Sequence, residues 1–146
     1  MKKFVLLASF CLFFTLGEGQ SIVGVWESVD EANQTPVHYI EIFKQSNYSY
    51  AGRVVKSLKY GPTTTCSMCP GDLRGQPLIS MRVLEEMRLE DGYFKGGKLL
   101  DPIKGRWYGC EMWLKEGDPN TLVVRQFVGP LFRTLHWRKV SEVTMR

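Results

Sequence analysis

The sequence predicts an all-β fold, an antiparallel barrel of about eight strands with at most one short helix. Short runs rich in β-branched and aromatic residues recur along the chain, and Gly, Pro, Asn and Asp separate them at hairpin spacing. The first and last runs contain Trp26 and Trp137, and pairing these two runs would close the sheet and remove its exposed edges. No long stretch has the apolar period of an amphipathic helix.

The first three strands follow from apolar runs and the turns between them. Residues 22–27 are mostly apolar, residues 37–44 alternate in character, and residues 48–57 follow a short polar turn. Gly52 interrupts the third strand, and a glycine inside a strand is typical of a bend or bulge. Such a bend suits a sheet that curls into a barrel.

The second half of the chain begins with an irregular segment over residues 59–77, which contains two cysteines. Loops of this length in a compact domain tend to be functional or cross-linked. A short turn over residues 77–80 precedes a fourth strand over residues 82–89, and Asp91-Gly92 predicts a hairpin turn. The remaining strands are predicted over residues 93–100, 106–115, 121–128 and 131–140.

Residues 1–19 have the form of a secretory signal peptide. Two lysines precede an almost uninterrupted apolar run over residues 4–16, and small residues suited to cleavage follow. About thirteen apolar residues are too few to span a bilayer comfortably, although an uncleaved membrane anchor is the alternative interpretation. The sequence therefore predicts a single mature domain over residues 20–146 in a secreted or periplasmic setting.

The charge of the chain excludes some classes of partner. The formal net charge is +4, and the basic residues are spread along the sequence without a cluster. This pattern gives little support to nucleic-acid binding. No apolar run after residue 19 is long enough for a membrane helix, so we expect no stable membrane span in the mature protein. The oligomeric state is not predicted.

Three cysteines remain after Cys11 leaves with the signal peptide: Cys66, Cys69 and Cys110. An oxidising compartment permits one disulfide, which could join Cys66 to Cys69 or either of them to Cys110. A redox-active dithiol is the alternative, although such a pair usually stands at a helix N-terminus. A closed zinc site requires four ligands, so we predict neither a metal nor a cofactor.

The candidate ligand-binding residues are the arginines and large apolar side chains of the predicted strands. A barrel lined by aromatic and methionine side chains around one arginine would hold a small hydrophobic or amphipathic molecule, and the arginine would suit an acidic head. Arg125 is the first candidate for this arginine and Arg53 is the second, with solvated outward positions as the alternative. The other candidates are Phe43, Tyr108, Met112 and Phe127.

The sequence contains no recognisable catalytic site. His38 and His136 are isolated in strands, and neither has a nucleophile motif nearby. Alternation places His38 on the same face as Ile40 and Ile42, so we interpret it as an ordinary strand residue. The carboxylates are scattered, and the glycines do not form a phosphate-binding motif. These features favour a binding protein over an enzyme.

Gly24-Val25-Trp26 near the chain start and Trp137-Arg138 near its end resemble the signature of lipocalin-like (calycin) proteins. In that group an arginine packs over the tryptophan, so the resemblance implies that Arg138 covers Trp26 and closes the barrel floor, with Arg133 as the competing partner. More closely, the chain is similar to a family of small secreted bacterial proteins of unknown function with lipocalin-like barrels. The similarity extends over Ala51-Gly52-Arg53-Val54-Val55, Cys66 to Asp72, Lys95-Gly96-Gly97, Leu122-Val123-Val124-Arg125 and Leu131-Phe132-Arg133-Thr134.

Three functions follow from these observations. The first is a secreted or periplasmic protein that binds a small hydrophobic or amphipathic molecule inside the barrel without catalysis. The second is a thiol-disulfide or envelope-stress protein that uses Cys66 and Cys69. The third is an interaction module that binds other proteins through its long loop.

Overall fold

The computed structural model describes residues 20–141 as an all-β barrel. Its strands are β1 (Gly24–Val29), β2 (Pro36–Lys44), β3 (Tyr50–Ser57), β4 (Arg82–Glu90), β5 (Tyr93–Asp101), β6 (Arg106–Lys115), β7 (Asp118–Val128) and β8 (Leu131–Lys139). Within this range there is one short helix, the three-residue 3-10 helix Gly71–Leu73. No helix between residues 20 and 141 has the length and apolar character needed to cross a membrane. The predicted signal peptide, residues 1–19, lies outside the described residues.

Each strand pairs antiparallel with its neighbours in sequence, and β8 pairs with β1 to close the barrel. In the closing ladder Trp26 lies opposite Lys139, and Glu27 lies opposite Arg138. This topology confirms the predicted eight-stranded antiparallel barrel and the pairing of its first and last strands.

The strand boundaries differ from the predicted ones where the turns were misjudged. β3 begins two residues later than predicted because Tyr48, with a φ of 63°, belongs to the preceding turn. β7 begins three residues earlier because the turn ends at Gly117, whose φ is 73°. The Asp91-Gly92 turn is as predicted, with positive φ values of 50° and 81° at the two residues of a tight hairpin.

Side chains fill the end of the barrel that contains the start of β1 and the end of β8, which we call the filled end. Trp26 is completely buried there, and its Nε1–H donates a hydrogen bond to the carbonyl oxygen of Ile22 at 2.8 Å. The rings of Tyr50 and Phe94 pack edge to face with centroids 4.9 Å apart. Other buried side chains at this end include Ile42, Met87 and Met112.

Four loops surround the opposite end, which we call the open end: those that join β1 to β2, β3 to β4, β5 to β6 and β7 to β8. The β3–β4 loop, residues 58–81, is the longest and has its own internal structure. A bridge joins Thr65 to Pro77, and a disulfide joins Cys66 to Cys69, whose Cα atoms lie 5.4 Å apart. This loop is therefore both hydrogen-bonded and cross-linked.

The β3–β4 loop packs closely against the β5–β6 loop, residues 102–105. Gly105 has a φ of 65°, and a Cβ at this position would overlap the carbonyl group of Met68. The Sγ atom of Cys66 lies 2.9 Å from the carbonyl oxygen of Pro102. The cross-linked loop thus supports one side of the open end.

Candidate functional site

A cavity of about 350 Å³ lies inside the open end of the barrel. Its lining comes from residues on six strands and from the β1–β2, β3–β4 and β5–β6 loops. The apolar lining includes Val37, Ile40, Val83, Leu99, Leu100 and Leu135, and the polar lining includes Ser28, His38, Gln126, Arg133 and Trp137. The cavity is mainly apolar, with a few polar residues in its lining.

His38 is a buried histidine whose side chain lines the cavity. It is 4% exposed, and neither ring nitrogen has a hydrogen-bond partner among the described residues. Burial lowers the pKa of His38 from 6.5 to about 4, against an opposing effect of the Asp101 carboxylate. The imidazole is therefore neutral at pH 7, with one N–H donor and one acceptor nitrogen.

Trp137 brings a second buried polar atom to the same cavity. The residue is 1% exposed, and its Nε1–H has no acceptor among the described residues. Ser28 lies on the neighbouring strand, but its hydroxyl is satisfied by the backbone of His38: it donates to the carbonyl oxygen at 3.1 Å and accepts from the amide at 3.2 Å. The unpartnered groups of the wall are thus the imidazole and the indole.

The charged side chains of the open end are paired with one another. Arg133 Nε donates to Gln126 Oε1 at 2.7 Å, and its Nη1 pairs with the Glu31 carboxylate. Lys104 Nζ lies 3.7 Å from Glu31 Oε2 and 3.9 Å from Asp101 Oδ2. Both cations that line the cavity are therefore matched by carboxylates.

The two arginines predicted to bind the ligand lie on the outer face of the barrel. Arg125 Nη1 pairs with Glu111 Oε1 at 2.8 Å, and its guanidinium lies over the Phe132 ring at 4.6 Å. Arg53 pairs with Glu41 and lies over the ring of Phe43. Neither arginine lines the cavity, because the neighbours of each in sequence take the inward positions of the strand.

The four other predicted residues are also not part of the cavity lining. Phe43 and Phe127 lie on the outer face, and Phe127 is exposed at the end of β7. Met112 points inward, but it belongs to the filled end. Tyr108 is closest to the cavity, since its ring lies beneath the Arg133 guanidinium at 4.8 Å. The residues missed were His38, Gln126, Arg133 and Trp137.

The cation that lies over Trp26 is Lys139 rather than the predicted Arg138. The Lys139 Nζ atom is 5.6 Å from the centroid of the Trp26 ring. Residues opposite each other in a ladder share a face, and the register pairs Trp26 with Lys139. Arg138 lies opposite Glu27 and is exposed on the outer face.

The cysteines adopt one of the pairings considered. Cys66 and Cys69 form a disulfide and are both buried, so Cys110 remains a free thiol. Burial raises the pKa of Cys110 to about 12, and its Sγ lies 3.5 Å from Met87 Sδ. This thiol is protonated and enclosed, which makes it chemically inert.

The described residues contain no group of three or more His, Cys, Asp or Glu side chains placed to hold a metal ion. The site therefore consists of a cavity, two unpartnered buried polar groups and a ring of paired charges. Such an arrangement can enclose a small molecule and form hydrogen bonds with it.

Comparison with known proteins agrees with this architecture. A solved structure described as "Protein HP1028 from the human pathogen Helicobacter pylori belongs to the lipocalin family" is similar with a TM-score of 0.72, at 14% sequence identity and with 86% of each chain covered. The fold is therefore a lipocalin-like barrel. Residues 24–139 match the family described as "Uncharacterized protein conserved in bacteria (DUF2147)", and the chain belongs to this family. No curated protein matches the chain. The resemblance to bacterial proteins of unknown function with lipocalin-like barrels is confirmed.

Proposed function

We propose that the protein binds one small hydrophobic or amphipathic molecule in the cavity at its open end and catalyses no reaction. The observation that supports this most directly is the mainly apolar cavity that contains two buried, unpartnered polar side chains, His38 and Trp137. Buried polar groups in proteins normally have hydrogen-bond partners, so unpartnered ones in the residues that line a cavity are consistent with a partner supplied by a bound molecule. The lipocalin-like fold is compatible with this function.

The volume of the cavity limits the size of the ligand. About 350 Å³ lies at the lower end of the range of small-molecule pockets, roughly 300–1,000 Å³. At about 30 Å³ for each water-sized group, the cavity holds roughly a dozen such groups. A chain of about ten carbons with one polar end would fill it.

A secreted or periplasmic location forms part of the proposal. It is supported by the predicted signal peptide over residues 1–19, which lies outside the described residues. The disulfide between Cys66 and Cys69 is a second support, because such bonds persist mainly in oxidising compartments. Fractionation of cells that express the full chain, followed by N-terminal sequencing, would test both points.

Calorimetric titration with n-alkanols of six to fourteen carbons tests the binding function. We expect affinity to increase with chain length up to about ten carbons and then to level off. Val83→Phe should weaken binding because Val83 lines the cavity, whereas Val55→Phe should not, because Val55 lies outside the lining. A folded protein that binds no alkanol of any length would contradict the proposal.

Thiol-disulfide exchange has less support than ligand binding. Both sulfur atoms of the pair belong to buried residues, and only a three-residue 3-10 helix follows them, so no α-helix N-terminus activates a thiolate. Titration of thiols under a mild reductant separates the two functions, since an exchange protein would cycle Cys66 and Cys69 readily.

A further inference from the structure

We propose that the cavity selects a ligand whose head group is uncharged and can both donate and accept a hydrogen bond, such as an alcohol or a primary amide, and that it rejects a carboxylate. This inference rests on the proposed function and specifies the ligand class for the same site. It replaces the acidic head that Arg125 suggested, because that arginine lies on the outer face.

The register places the two unpartnered groups on one wall. Ser28 lies opposite His38 in the β1–β2 ladder. In the β1–β8 ladder Glu27 lies opposite Arg138, so the next residue pair places Ser28 beside Trp137. His38 and Trp137 therefore flank Ser28 from the two neighbouring strands, at about 4.8 Å per strand spacing. One small head group can contact both side chains from inside the barrel.

The chemistry of this wall defines the head group. The Trp137 indole provides one donor, and the neutral His38 imidazole provides one donor and one acceptor. The Ser28 hydroxyl adds little because the backbone already satisfies it. A hydroxyl group that accepts a hydrogen bond from the indole and donates one to the acceptor nitrogen of the imidazole would satisfy the indole and one of the two ring nitrogens. A primary amide offers the same combination.

The charges around the cavity disfavour an ionised head. Arg133 and Lys104, the cations in the lining, already pair with Glu31 and, for Lys104, with Asp101. A carboxylate would enter beside a neutral imidazole without a free cation among the described lining residues. Burial of an unpaired charge is far more costly than burial of a hydrogen-bonded neutral group. An ammonium head would approach Arg133 and Lys104 and gain no free carboxylate.

Calorimetric titration of the purified protein at pH 7.5 with decan-1-ol, decanoate and decylammonium tests this inference, because the three probes share one chain length. We expect decan-1-ol to bind at least about tenfold more tightly than either ion. Tighter or equal binding of decanoate or decylammonium would overturn the selection of a neutral head. Failure of all three to bind would instead contradict the proposed function itself.

Two substitutions test whether the wall recognises the head. Trp137→Phe and His38→Phe should each weaken decan-1-ol binding by about tenfold, the loss expected for one buried hydrogen bond. Trp107→Phe is the matched control, because Trp107 lies on the outer face beneath Lys98. This variant should bind decan-1-ol as tightly as the wild type does. Wild-type affinity in both cavity variants would mean that His38 and Trp137 contact water only, and the inference would be wrong.

Discussion

Trp26 and Trp137 are both buried tryptophans of the barrel interior, but their indole nitrogens have different surroundings. Trp26 Nε1–H donates to the carbonyl oxygen of Ile22, whereas Trp137 Nε1–H has no acceptor among the described residues. The same substitution at the two positions therefore removes a hydrogen bond in one case and an unpartnered donor in the other.

Trp26→Phe should accordingly destabilise the protein more than Trp137→Phe does. Loss of the Trp26 hydrogen bond leaves a buried carbonyl without a partner, which costs about 1–3 kcal/mol in the free energy of unfolding. Trp137→Phe incurs no such cost and removes a similar volume. Urea unfolding of both variants without ligand would measure the difference, and equal losses of stability would contradict the assignment of the two indoles.

Because the His38 side chain is buried, the protein should become less stable in mild acid. Its pKa is about 4 in the folded protein, against 6.5 for an ordinary histidine, because burial disfavours the charged form more than Asp101 favours it. As the pH falls below 6.5, His38 binds a proton in the unfolded chain but remains neutral in the folded protein until the pH approaches 4. His38 should therefore remove about 3 kcal/mol of stability between pH 6.5 and pH 4.

Urea unfolding at several pH values would check this loss, with His38→Leu as the matched variant. The substitution places an apolar side chain in the wall and removes the titrating imidazole. The stability of the variant should therefore decrease less between pH 6.5 and pH 4. A variant with the same pH dependence as the wild type would show that other groups cause the loss.

At the scale of secondary-structure elements, the disulfide-linked β3–β4 loop supports the β5–β6 loop. A disulfide that closes so short a segment should contribute about 2 kcal/mol by restricting the unfolded chain. Replacing both Cys66 and Cys69 with serine should lower the free energy of unfolding by about this amount. It should also increase amide hydrogen exchange in residues 102–105, because Gly105 lies against Met68 and Cys69, and Pro102 lies against Cys66. Exchange that changes only within residues 58–81 would show that the two loops are not coupled.

Alternation along the strands predicts most elements but not every inward face. In β2 it places His38, Ile40 and Ile42 together, and all three are buried in the structure. In β7 both Val123 and Val124 are apolar and buried, so the sequence does not show which of the two alternating sets of residues faces the interior of the barrel. The pairing of β7 with β6 and β8 decides this, and it places Arg125 outside.

The cavity could not be predicted from the sequence because it depends on contacts between distant segments. Glu31 lies in the β1–β2 loop and Arg133 in β8, yet the two side chains form an ion pair. His38 fits an ordinary strand position by its pattern, and only the folded barrel shows that its ring lacks a partner. The fold followed from local turns and periodicity, whereas the site required the complete three-dimensional arrangement.

At the scale of the whole molecule, the β1–β8 ladder closes the barrel, and Lys139 lies over Trp26 at this junction. Lys139→Ala should lower the free energy of unfolding by about 1 kcal/mol through loss of the cation–π contact. Arg138→Ala is the matched control, and because Arg138 is an exposed outer residue we expect a change within about 0.5 kcal/mol. Thermal unfolding would compare the stabilities of the two variants. A larger loss of stability for Arg138→Ala would instead support the predicted packing of Arg138 over Trp26.

Trp26, Tyr50 and Phe94 fill one end of the barrel, so the cavity is reached from the open end, between the loops that surround it. Under the proposed function, a bound molecule therefore leaves through the open end by which it entered, and a second molecule cannot enter at the filled end to displace it. Exchange of one bound molecule for another then requires the first to dissociate, so its dissociation rate limits the rate of exchange.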